Sequence, residues 1–180
     1  MTDDEAPGIQ PGQTTLLGWL LAVSFLVLFW NIIQMPRTPV DQREFLRAVH
    51  YSLGLGVSIL AIVRLVWWFR RPRLIPPEGL PASSFAFHRA ILLALLMVFA
   101  IESVIGFIYA WAIGEGVSLF GIPLPAVVPK SEPARMASGY FHSALGFYYL
   151  MLLSLWFGYG FYQHFRYRVG IKRLFPGARV

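Results

Sequence analysis

Residues 47–69 read RAVHYSLGLGVSILAIVRLVWWF. The run is longer than the roughly 20 residues a helix needs to cross a bilayer core, and only Arg47, His50 and Arg64 in it are basic. It closes on Trp67, Trp68 and Phe69 and is followed by RRPR, the aromatic-then-basic ending of a span that stops at a membrane interface. Three more runs are long and apolar enough to do the same. With a mean hydropathy of +0.59 and 57% hydrophobic residues, the chain is too apolar for a soluble domain of its size. The expected architecture is all-α: an integral membrane four-helix bundle forming one domain over residues 1–180, with helices at about 15–34, 47–69, 86–113 and 138–162.

The sequence has no cysteine, which excludes thiolate-held iron–sulfur clusters, disulfides and haem attached through a CxxCH motif. The segment MTDDEAPGIQPGQTT has three acids and no basic residue, so it lacks the basic region of a signal peptide and the first helix is expected to stay. The net charge of +6 reads as topology rather than nucleic-acid binding, because the basic residues cluster where helices end. Arg70, Arg71, Arg73 and Arg89, with Arg166, Arg168, Lys172, Arg173 and Arg179 of the tail, outnumber Arg37, Arg43, Arg47, Lys130 and Arg135 of the other two loops. The excess predicts a multi-pass inner-membrane protein with both termini cytoplasmic.

The stretch HYSLG, His50 to Gly54, recurs as HSALG, His142 to Gly146. Under that topology both histidines lie one or two turns inside the outer surface. Each glycine sits on its histidine's face one turn deeper, leaving a slot for a flat macrocycle. A lone histidine in a span is more often a hydrogen-bonded core residue; two at one depth, each with the same glycine, favour ligation. Imidazole is the usual axial ligand of b-type haem, so His50 and His142 are the candidate iron ligands and Gly54 and Gly146 the candidate slot. Arg47, three residues before His50, is either a partner for a haem propionate or an ordinary interfacial arginine. His88 and His164 lie near water at the other side and read as interfacial or quinone-neighbouring residues. Glu102, midway along the third span, costs at least ~2.5 kcal/mol if charged; it is protonated, paired, or part of a proton path.

HYSLGL with RLVWWFRRPR, His88 heading the third span, HSALGFYYL, and the ending YQHFRYRVGIKRLFPG together resemble the bacterial cytochrome b561 family, four-helix di-haem proteins that include superoxide oxidase. In that family a histidine in the first helix and another fourteen residues after the first of the fourth helix hold a second haem. The matching positions here are Gly18 and Trp156, and Gln163 stands where the family ending carries a histidine. The resemblance therefore implies a divergent member that has lost one ligand pair and keeps one haem b near the periplasmic face. Two readings follow. One is a one-electron carrier in contact with membrane lipid and with quinone or superoxide as redox partners. The other is an accessory subunit that keeps the fold, with one cofactor or none, among other membrane subunits of a respiratory or photosynthetic complex. Arg37, Arg43 and Arg47 against Asp41 and Glu44 leave +1 on one outer loop, and Lys130 and Arg135 against Glu115 and Glu132 leave zero on the other. Electrostatic steering of superoxide is not evident.

Overall fold

The computed structural model describes residues 11–70, 76 and 78–169, apart from the side chains at 11–15, 17, 18 and 22. Arg71, Arg73, Lys172, Arg173, Arg179 and the surroundings of Gly18 lie outside the described residues. Four helices carry the chain: α1 (Pro11–Gln34), α2 (Glu44–Arg70), α3 (Ala82–Ile113) and α4 (Glu132–Tyr167). All four are long and apolar enough to cross a membrane. They run past the apolar stretches read from sequence because polar first and last turns are helical too; α4, for example, starts at Glu132 and ends beyond His164. Large apolar side chains such as Leu26, Phe69, Phe147 and Phe165 stand exposed on the bundle surface, which suits lipid rather than water.

Local chemistry sets where the helices stop. α3 ends at Gly114, which takes φ +82° and returns its N–H to the carbonyls of Ala110 and Trp111, the left-handed closure that glycine makes without Cβ strain. α4 is capped by Ser131, whose hydroxyl accepts from the Ala134 N–H, with Pro133 in the first turn and Glu132 facing Arg135; cap, proline and acid all suit the positive helix start. The Ser131 N–H donates to the Ala112 carbonyl at 3.1 Å. The end of α3 and the start of α4 are thereby pinned together, which fixes the height of every α4 side chain against α3.

Between them lies a two-strand antiparallel hairpin, β1 (Val117–Leu119) and β2 (Ile122–Leu124), with Leu119 opposite Ile122. Its two-residue turn, Phe120 and Gly121, has φ of +48° and +85°, the left-handed pair that a tight hairpin turn requires. The Phe120 N–H donates to Ser52 Oγ on α2 at 2.9 Å and Val117 is buried, so the hairpin is held down on α2. This end of the bundle is called the hairpin end below.

α3 and α4 pack most intimately, α2 lies on α3 and α1 on α2, while the α2 and α4 backbones keep apart. The middle of the bundle is filled by Leu28, Val57, Ala61, Leu96 and Phe99, with Phe25 and Tyr149 packed against them; the Tyr149 ring lies 4.7 Å from Phe25 and 4.8 Å from Phe99. At the opposite end Arg89 lies over Trp68, 3.9 Å from its ring centre, a cation–π contact that ties α3 to the aromatic terminus of α2.

Candidate cofactor site

His50 lies six residues into α2 and His142 ten into α4, about 9 and 15 Å from their helix starts at 1.5 Å per residue. Both helices start at the hairpin end, so the histidines face one another across the space between α2 and α4. Their ring centres are 6.1 Å apart and their planes are perpendicular. Two imidazoles on opposite sides of one metal ion, each with a metal–nitrogen bond of about 2 Å, have ring centres ~6 Å apart. The spacing fits.

Three buried polar atoms gather here without a hydrogen-bond partner: His50 Nδ1, His142 Nδ1 and the Glu102 Oε2 oxygen. Buried polar atoms are nearly always satisfied, so a cluster of orphans marks a site built for something more than side-chain packing. His142 Nδ1 and Glu102 Oε1 are 3.0 Å apart, close enough to interact, although the angle between them falls short of a hydrogen bond.

The glycines behave unequally. A Cβ at Gly54 would meet nothing within 4 Å, whereas one at Gly146 would lie 3.7 Å from Glu102 Oε1. The α2 side of the slot is open and the α4 side is shared with the glutamate. Gly106 matters more than either for His142, because a Cβ there would lie 2.8 Å from His142 Cε1. The ring rests on the bare α3 backbone. Gly106→Ala is therefore expected to overpack the site and cost about 1–3 kcal/mol, read as a lower unfolding temperature of the detergent-purified protein; equal stability would mean the ring has other room.

Around this centre, the Arg47 guanidinium lies 2.7 Å from Glu115 Oε1, and the Tyr51 hydroxyl donates to Oε2 of the same carboxylate at 2.6 Å. Glu115 follows α3, so this cluster joins the loop before the hairpin to the α2 turn that carries His50. Tyr109 lies nearly parallel to His142, 6.5 Å between centres, and a cleft of about 280 Å³ bounded by Tyr109, Arg135 and His142 opens beside it.

At the opposite end Trp156 packs on His88, ring centres 5.4 Å apart. Gln163 is buried; its carbonyl oxygen lies 2.9 Å from His88 Nδ1 and its amide nitrogen donates to the Ser84 carbonyl and hydroxyl. His164 turns away, with Nδ1 2.7 Å from the Val169 carbonyl, so it closes the end of α4 and does not face His88.

Glu115, Tyr51 and Gly106 were not singled out from sequence. Glu115 appears there only as one loop charge. Gly106 had a usable signal: it lies four residues after Glu102, hence on the same helix face.

Four helices long and apolar enough to cross a membrane make this a multi-pass membrane protein, within which His50 and His142 face one another. The family model for prokaryotic cytochrome b561 matches residues 10–177, nearly the whole chain, and the protein belongs to that family: a membrane b-type cytochrome of electron transfer. Comparison with curated proteins finds no match.

Proposed function

We propose that the protein holds a single haem b between His50 and His142 and exchanges single electrons at the hairpin end. The observation that carries this reading is the 6.1 Å spacing of the two facing imidazole rings. Haem b, when bound, supplies a one-electron ferric–ferrous couple.

The chain's own residues do the rest. His50 and His142 present their imidazoles from two helices whose backbones stand apart, and Gly54 keeps the α2 wall free of side chain. Arg47 and Tyr51 keep a carboxylate-binding pair at the mouth, with Glu115 as its present partner, which is the chemistry a propionate would meet. Phe25, Phe99 and Tyr149 exclude water from the floor. The excess of basic residues at the far end supports a hairpin end on the periplasmic side, with both termini cytoplasmic in the inner membrane.

At the far end, Trp156 against His88 supports the loss of the family's second haem: a large ring fills space beside His88, while His164 turns away to the Val169 carbonyl. Electron exchange is thus confined to the hairpin end, through quinone, superoxide or a partner subunit reaching the cleft beside His142.

Haem content per chain tests the reading. One haem, with the sharp reduced α-band of bis-histidine b-type coordination, is expected in the purified protein. Two haems per chain would refute the filled far end. None would favour the accessory-subunit alternative.

A further inference from the structure

Glu102, which the sequence left as protonated, paired or part of a proton path, has one close partner and two glycines that make room for the pair. Its Oε1 lies 3.0 Å from His142 Nδ1. A Cβ on Gly146 would lie 3.7 Å from that oxygen, and one on Gly106 would strike the His142 ring at 2.8 Å. Gly106 thus lets the imidazole lie on α3, and Gly146 lets the carboxylate come in beside it. Glutamate and glycine, one turn apart on a single face of α3, form a seat for one ring of α4. Glu102 sits eleven residues from the end of α3, about 17 Å along the helix. A carboxylate that deep is costly unless it has a partner, and His142 is the partner within reach.

We propose that Glu102 is a positioning residue for His142: it orients the imidazole through Nδ1, so that the other ring nitrogen is the one offered to iron, and its charge favours the oxidised metal. The inference rests on His142 being a haem ligand. A ligating histidine commonly gives its second nitrogen to a carboxylate or carbonyl, which sets the tautomer and the ring angle, and losing such a partner costs about 10–100-fold in metal affinity. Here the carboxylate comes from α3, a helix that supplies no iron ligand. It therefore couples the α3–α4 packing to the cofactor site.

The test compares the full-length, detergent-purified wild type with Glu102→Leu, Glu102→Gln and His142→Ala. The readouts are haem affinity, the ferric low-spin electron paramagnetic resonance signal, which reports ligand-ring orientation, and the midpoint potential. Glu102→Leu is expected to bind haem about 10–100-fold more weakly, with a shifted or broadened low-spin signal. Glu102→Gln keeps an acceptor for Nδ1 and should recover most of the affinity, but its potential should stay above that of wild type because the amide carries no charge. Wild-type affinity and signal in the leucine variant, alongside haem loss in His142→Ala, would overturn the positioning role and leave the ligation intact. If the leucine variant fails to fold, an unchanged potential and signal in the glutamine variant overturn it equally. If His142→Ala keeps haem with an unaltered spectrum, the ligand assignment fails and this inference fails with it.

Discussion

With His142 replaced by alanine, the purified protein is expected to lose its b-type absorption: the reduced α-band disappears and haem affinity falls by more than the roughly 10–100-fold typical of losing a residue that only supports a ligand. The methyl group offers no ligand, and no other histidine can replace it. His88 is engaged with Gln163 and Trp156 at the other end of the bundle, and His164 with the Val169 carbonyl. His50→Ala should do the same, since under the proposed ligation either substitution would leave iron with one imidazole. Neither change should unfold the bundle, because the buried middle core of Leu28, Val57, Ala61, Leu96 and Phe99 contains neither residue. Retained helical content with the lost spectrum is therefore the expected combination. A preserved spectrum of unchanged shape would remove the ligand assignment.

Gly54→Leu carries the second large effect. The position has the helix face of His50, one turn further along, and a Cβ added there meets nothing within 4 Å. Leucine is accordingly expected to be accommodated by the apoprotein and even to favour the helix slightly, glycine being about 1 kcal/mol the poorer helix former. Its branched end would project into the space facing α4 that the proposed haem would fill, so haem affinity should fall at least ~10-fold, on the scale of a disrupted metal site. Gly56→Leu is the matched control. Gly56 also has open space at its Cβ, but two residues on is about 200° round the helix, away from the His50 face. Equal haem content in the two variants, measured by absorption after identical purification, would mean that Gly54 lines no slot.

The physical division between what was legible and what was not runs through particular residues. The fold class was legible because crossing a bilayer imposes a length and an apolarity that a linear scan detects, and the RRPR ending of α2 marks its interface. The His50 and His142 candidates were legible because a histidine in a span is costly and its repetition with glycine at the same offset is local information. Arg47 shows the limit: three residues before His50 it reads as a possible propionate partner, yet its guanidinium lies against Glu115, which is 68 positions away. Gly146 shows it again, since its local resemblance to Gly54 conceals that Glu102 of another helix reaches its side of the slot.

By itself the sequence determined four apolar spans, their order, the two histidines at a common depth and the membership of the cytochrome family. Those properties depend on spacing along one chain and on the cost of polar groups in hydrocarbon. Only the tertiary structure decided that α3 would seat His142 between Glu102 and Gly106, that the hairpin would dock on Ser52, and that Trp156 would lie on His88. Each of these depends on the relative height and rotation of separate helices, set by the junction of Ser131 with Ala112 and by side-chain packing, which no periodicity within a single helix encodes.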